Sequence, residues 1–274
     1  MTQNVFRRRF TAVLAAVCLT FGAQAALFAG AGSQPGQKEQ QKEKVTMLVA
    51  AAASLKNAYD KDIIPQFQAK YPWITVEGTY DSSGKLQTQI EHGMGADIFM
   101  SAAVNQIDAL VAEGYIDATA VDYLLQNKLV LIKPAGATTT VTGFADITNA
   151  KTVAIGDPKF VPAGQYAEEA LNKLGVWNKL PANSVSLGTN VTEVLNWVGN
   201  GSAEVGIVYA TDAASTDKVT VIQILGEGIL SAPVIYPVAP LKEAPHPEEA
   251  DLFIDYLASD EGLAVFEKYG FSKN

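Results

Sequence analysis

The chain has 274 residues but only one cysteine, two histidines and no surplus of positive charge. Its net charge of −9 excludes a general nucleic-acid binder, which needs a basic face. Cys18 lies in an N-terminal apolar segment, so the rest of the chain can form neither a disulfide nor a thiolate metal site. His92 and His246 stand far apart with no H-x-x-x-H spacing; both read as surface residues, and no metal held by side chains is expected. A nucleotide P-loop is missing as well. Gly78 and Gly84 are one residue too far apart, and Leu86 stands where a Ser or Thr is required. No G-x-S-x-G elbow surrounds any serine, so a secreted serine hydrolase built on Ser54 or Ser83 with His92 has only its residue types in its favour. No apolar run is long enough to span a membrane comfortably.

The N-terminus has the layout of a secretory signal over residues 1–25. Arg7, Arg8 and Arg9 precede an apolar run from Phe10 to Phe21, and Ala23-Gln24-Ala25 offers a small-x-small cleavage site. This implies a periplasmic or otherwise extracytoplasmic location. Val17 stands where a lipidation site takes a small residue, so no lipid anchor is expected at Cys18. Residues 26–44 are rich in Gly, Ala, Gln, Lys and Glu without periodicity and read as a flexible tether.

From Val45 onward, apolar strand patterns alternate with amphipathic helix patterns. This predicts an α/β fold with largely parallel sheets. A helix is expected from Ser54 to Lys70, disturbed at Pro65. Two helices are expected in the tail from Pro247 to Tyr269, with Ser259-Asp260 starting the second. No linker rich in Gly, Ser or Pro divides the middle of the chain. Two lobes would therefore share it by crossing over, with Leu129–Lys133 and Val234–Ala239 as the crossing strands. The expected lobes are 45–127 plus 234–274, and 128–233.

Five short polar segments recur at one topological position, a strand end or a helix start. They are Ala53-Ser54-Leu55, Ser82-Ser83-Gly84, Val161-Pro162-Ala163-Gly164, Thr189-Asn190-Val191 and Gly206-Ile207-Val208-Tyr209. The opening N–H groups of a helix have no intrahelical partner and bind anions. Each segment also has a plain structural reading. Ser54 and Ser83 could simply be helix caps, Pro162 a helix start, Thr189 or Asn190 a cap, and Tyr209 a packing residue. Together they outline a seat for a small tetrahedral anion made from uncharged donors. Asp81 is out of place beside such a seat.

The runs Ala51-Ala52-Ala53-Ser54-Leu55, Ser82-Ser83-Gly84-Lys85-Leu86 with Gln89-Ile90-Glu91, and Gly95-Ala96-Asp97-Ile98-Phe99-Met100-Ser101-Ala102 resemble the molybdate-binding proteins of bacterial ABC importers. So do Gly156-Asp157-Pro158 through Val161-Pro162-Ala163-Gly164-Gln165-Tyr166-Ala167, Gly206-Ile207-Val208-Tyr209, and the ending Phe266-Glu267-Lys268-Tyr269-Gly270-Phe271. The resemblance covers roughly residues 44–272. It implies a type II periplasmic-binding-protein fold of two lobes, each a mostly parallel sheet flanked by helices, with the ligand cleft between them. It further implies a monomeric, non-enzymatic binding protein that takes no cofactor, captures molybdate or tungstate and hands it to an ABC permease. Ligand contacts carry over to Ser54 and Ser83 through hydroxyl and N–H, to the N–H groups of Ala163 and Val191, and to the Tyr209 hydroxyl. Asp81 replaces the small residue more usual at its position. A binder of another oxyanion such as sulfate is the nearest alternative.

Overall fold

Small and β-branched residues form the centre of the first sheet. β1 (Val45–Ala52) runs between β2 (Ile74–Asp81) and β3 (Ile98–Met100) and parallel to both. It ends on Ala50, Ala51 and Ala52, all buried, which take little room and let the following turn pack closely. The structure, a computed structural model, describes residues 42–274. The signal expected over 1–25, Cys18 and most of the expected tether lie outside the described residues.

After β1 comes a 3-10 turn (Ala53–Leu55), then α1 (Lys56–Ala58), a π turn (Tyr59–Ile63) and α2 (Ile64–Lys70). Pro65 does not break this run. Proline lacks an N–H and crowds the carbonyl four residues back. That carbonyl, of Lys61, falls in the wider π turn, which has room for it. Next come α3 (Ser83–Glu91), α4 (Val104–Ala112) and β4 (Asp122–Asn127). Lys128 alone separates β4 from β5 (Leu129–Pro134). The chain continues through β6 (Val153–Gly156), α5 (Pro162–Lys173), β7 (Val185–Gly188), α6 (Val191–Gly199), β8 (Val205–Tyr209), α7 (Ala210–Ala214) and β9 (Val219–Ile224). Residues 225–233 lead back to β10 (Val234–Pro240), followed by α8 (Pro247–Ala258), α9 (Asp260–Lys268) and β11 (Ser272–Lys273). Ser259 caps α9, its Oγ accepting the Gly262 N–H at 3.2 Å.

The strands form two sheets, of order β11-β4-β10-β3-β1-β2 and β7-β6-β8-β5-β9. Both are mixed, which corrects the expectation of mostly parallel sheets. β6 pairs in parallel with β7 and β8, as β1 does with β2 and β3. The strands that begin or end at a crossing, β4, β5, β9 and β10, pair antiparallel with all their neighbours. A chain that enters or leaves a lobe at the cleft reverses direction there, and no crossover helix restores the parallel sense.

Helices cover the first sheet, and an aromatic cluster forms its core. Tyr59, Phe67, Phe253 and Phe266 are fully buried. Phe67 meets Phe253 edge-on with centroids 4.8 Å apart, a favoured arrangement for aromatic rings. His246 is not the free surface residue it was expected to be. Its backbone N–H donates to Oδ1 of buried Asp97 at 2.7 Å, and its ring Nδ1 lies 3.2 Å from the same oxygen. His92 is exposed. No helix among the described residues is long and apolar enough to cross a membrane.

Candidate functional site

Each of the five segments ends in a different way. Ser54 does not cap a helix: Ala52 holds the cap position of its turn, and Ser54 Oγ instead lies 2.8 Å from the Tyr236 hydroxyl. At the end of β2, Ser82 occupies the cap position of α3 but makes no side-chain cap bond. Ser83, wholly buried, accepts the Ala102 N–H on its Oγ at 3.0 Å. Its own hydroxyl hydrogen is left to donate elsewhere.

In the second lobe, Val161 precedes α5 and Pro162 opens it, with no side-chain cap. Gly156 and Gly164 bracket the approach. A Cβ on Gly164 would come within 2.6 Å of the Gly156 carbonyl carbon, so strand end and helix start touch through backbone. At α6 the cap is Asn190, whose Oδ1 accepts the Glu193 N–H at 3.0 Å; Thr189 donates its N–H to Glu193 Oε2 at 2.7 Å. Glu193 thus ties both residues before the helix to its first turn and leaves Val191 as the first helical residue. Tyr209 ends β8 with its ring buried, and its hydroxyl reaches the Ala102 carbonyl at the long distance of 3.5 Å.

The structure brings all five together. Ser54, Ser83, Ala163, Val191 and Tyr209 line one cavity between the lobes, with Ala52, Ala53, Asp81, Ser82, Ala102, Val161 and Pro162. Its volume, counted as the space a water centre could visit, is about 10 Å³. A sphere of that volume plus the radius of water corresponds to a body of about 2.7 Å radius, the order of a single tetrahedral oxyanion without its hydration shell. α3, α5 and α6 all open on it, presenting orphan N–H groups and the positive ends of their dipoles. Among the described residues lining it there is no lysine, arginine or histidine. Nor does any group of three His, Cys, Asp or Glu among the described residues sit where it could hold a metal ion.

Two features complete the site. Ser82 Oγ is buried with no hydrogen-bond partner and lines the cavity, a third serine hydroxyl free for a ligand. The Ser82-Ser83 pair was visible, but only the fold shows that the first hydroxyl fails to cap. Asp81, the one charged side chain in the lining, has its Oδ1 engaged by three donors: the Ser82 N–H at 2.8 Å, Asn190 Nδ2 at 3.2 Å from the other lobe, and Lys85 Nζ at 3.5 Å. The cleft is drawn shut by this clamp, by the Gly84 N–H donating to the Phe160 carbonyl at 2.9 Å, and by Gln106 Nε2 reaching Gln165 Oε1 at 3.4 Å.

Burial holds the hydroxyls of Tyr209 and Tyr236 far above the ordinary phenol range, so both remain proton donors at any physiological pH. Burial also pushes the Asp212 carboxyl up to about 7, against the opposing effect of the Tyr209 N–H that Oδ2 accepts at 3.1 Å.

A family profile described as bacterial extracellular solute-binding protein matches residues 47–272. The chain belongs to that family. It is 37% identical over 246 residues to YvgL of Bacillus subtilis, provisionally named an ABC transporter substrate-binding lipoprotein, covering 90% of this chain and 93% of that protein. It is 36% identical over 255 residues to the molybdate-binding protein ModA of Escherichia coli, covering 90% of this chain and 96% of the relative. Among solved structures, the periplasmic molybdate-binding protein of Azotobacter vinelandii superposes with a TM-score of 0.71 at 20% identity, over 82% of this chain and 98% of the other. The sulfate-binding protein SubI of Mycobacterium tuberculosis does so with 0.70 at 19%, over 82% and 86%. At those identities the superpositions establish the two-lobed fold and nothing finer. The chain is thus a solute-binding protein and not an enzyme, built on the two-lobed architecture of periplasmic binding proteins.

Proposed function

We propose that this solute-binding protein captures molybdate, and tungstate with it, in the cavity between its lobes and delivers it outside the cytoplasm to an ABC permease, acting as a monomer without a cofactor. The observation that carries the reading is the convergence of Ser54, Ser83, Ala163, Val191 and Tyr209 on one small cavity. The ligand contacts are the two serine hydroxyls with their N–H groups, the N–H groups of Ala163 and Val191, and the Tyr209 hydroxyl. The molybdenum is held as its oxyanion, with no side chain bonded to the metal.

Donor chemistry supports a proton-free dianion. The Ser83 oxygen already accepts an N–H, and Tyr209 stays protonated. Hydrogen phosphate would bring a proton that faces these donors, and left without an acceptor there it costs about 1–3 kcal/mol. Hydrogen bonds to a charged group contribute about 1.5–3 kcal/mol each. Five to seven of them offset the roughly 4–15 kcal/mol of lost freedom and reach sub-micromolar affinity. Neutral donors also leave no unpaired cation buried when the site is empty. Because the anion contacts both lobes, it favours the closed form that a permease would recognise.

Titration calorimetry of the purified protein with molybdate, tungstate, sulfate and phosphate tests the proposal. The expected order places molybdate and tungstate together at sub-micromolar dissociation constants, sulfate weaker by at least about a hundredfold, and phosphate silent at millimolar concentration. Sulfate binding as tightly as molybdate would refute the choice of anion.

A further inference from the structure

The hydrogen of the Ser54 hydroxyl can in principle point either way, and its direction decides whether the cavity meets a donor or an acceptor there. Three buried groups behind it fix the choice. Asn127 ends β4, and its Oδ1 accepts the Lys128 N–H at 2.8 Å. A backbone N–H can only donate, so that atom is the amide oxygen and its sibling is the NH2 group. The NH2 donates to Thr211 Oγ1 at 2.9 Å and to the Tyr236 hydroxyl oxygen at 3.2 Å. Tyr236 lies in β10 and is fully buried. Its oxygen receives the amide, and its hydrogen is directed to Ser54 Oγ at 2.8 Å, because the other hydroxyl beside it, that of Tyr209, is the donor in their mutual contact. Ser54 thus accepts from behind, and its hydrogen remains for the cavity that it lines.

We propose that Asn127 and Tyr236 form a one-way hydrogen-bond relay that commits the Ser54 hydroxyl to donating into the cleft, which makes Tyr236 a positioning residue selecting proton-free oxyanions. Neither Asn127 nor Tyr236 lines the cavity, so the relay acts from behind the site, and it rests on the oxyanion reading above. Hydrogen bonds in series polarise one another, so a donor at the amide end strengthens the donor at the serine end. The relay also joins the two places where the chain passes between lobes, since Asn127 sits at the first and β10 begins after the second.

A double-mutant cycle by calorimetry with molybdate tests it. Tyr236→Phe keeps the ring and its edge contacts with Tyr209 and Phe271, at 5.7 and 5.3 Å between centroids. It should lower affinity at least about tenfold in the wild-type background and less than about twofold in Ser54→Ala. It should also let millimolar phosphate compete, because the released Ser54 oxygen can take the proton of hydrogen phosphate. Equal losses in both backgrounds, or unchanged exclusion of phosphate, would overturn the relay while leaving the anion reading intact. Asn127→Asp replaces the donor with an acceptor, turns Tyr236 away from Ser54 and should cost more than Tyr236→Phe; wild-type affinity in that variant would overturn the relay. A wild type that binds sulfate but not molybdate refutes the choice of anion alone, and the cycle then runs with sulfate; one that binds neither refutes both. Neutron diffraction of the deuterated protein needs no ligand: a deuteron bonded to Tyr236 and aimed at Ser54 supports the relay, and one bonded to Ser54 and aimed at Tyr236 overturns it.

Discussion

Gly84→Ala should weaken anion binding without unfolding either lobe. Gly84 is the second residue of α3, and its N–H donates across the cleft to the Phe160 carbonyl at 2.9 Å. A Cβ at this position would lie 2.6 Å from that oxygen and 2.8 Å from Phe160 Cα. Both neighbours are backbone, so no side-chain rotation relieves the clash. Overpacking of this kind costs about 1–3 kcal/mol, and losing the hydrogen bond adds about 0.5–1.5 kcal/mol. The contact joins the two lobes, so the whole cost of about 2–4 kcal/mol falls on the closed arrangement, and affinity should drop by about 30- to 700-fold. Within α3 itself alanine is the better helix former, by up to about 1 kcal/mol, so the first lobe gains if anything. Calorimetry with molybdate measures the first effect, and circular dichroism melting without ligand measures the second. Affinity within about threefold of wild type, or a melting temperature lowered by more than about 5 °C, would show that closure against Phe160 does not govern binding.

Ser83→Ala should weaken molybdate binding at least about tenfold by removing one charge-assisted donor, and calorimetry that shows unchanged affinity would remove Ser83 from the site. Asp81→Asn keeps an oxygen for the Ser82 N–H but removes the one negative charge in the cavity lining; binding should tighten at least about tenfold and become less sensitive to salt, as read by titrations at two ionic strengths. Asp212 has its folded-state value raised to about 7 from 3.8, so the folded protein holds a proton that the unfolded chain has released. The stability that this proton confers is complete below about pH 4, declines as pH rises and is gone above about pH 7, a change of order 4 kcal/mol. Asp212→Asn should flatten melting temperature across that window, and a slope equal to that of wild type would refute the assignment.

The segments that meet at the cavity were legible because each is local. A serine or proline at a strand-to-helix turn is read from a few adjacent residues, and Ser54, Ser83, Ala163, Val191 and Tyr209 all came from such readings. What failed was non-local. β4 has the sequence Asp-Tyr-Leu-Leu-Gln-Asn, with two adjacent apolar residues and no alternation, and it is a strand because β10 and β11 pair with it. The antiparallel pairings at the crossings depend on which lobe a segment returns to, which no local pattern encodes. Pro65 looked disruptive because the π turn that accommodates it has no sequence signature of its own. The Asp97–His246 contact and the Asn127–Tyr236–Ser54 chain join residues far apart in sequence, so no local pattern links them.

The unequal passages between the two halves decide how this molecule moves. Lys128 is a hinge pin: one residue long, with its carbonyl held by the Ala210 N–H at 2.8 Å, it permits a swing and little else. Residues 225–233 form the longer second passage, tied by the Leu225 N–H to the Leu129 carbonyl and by the Ser231 N–H to Glu169. Side chains beside the pin, Asn127, Tyr236, Tyr209 and Ser54, would travel least in such a swing, so on the proposed function an arriving anion would meet a standing half-socket before the other helix ends close over it.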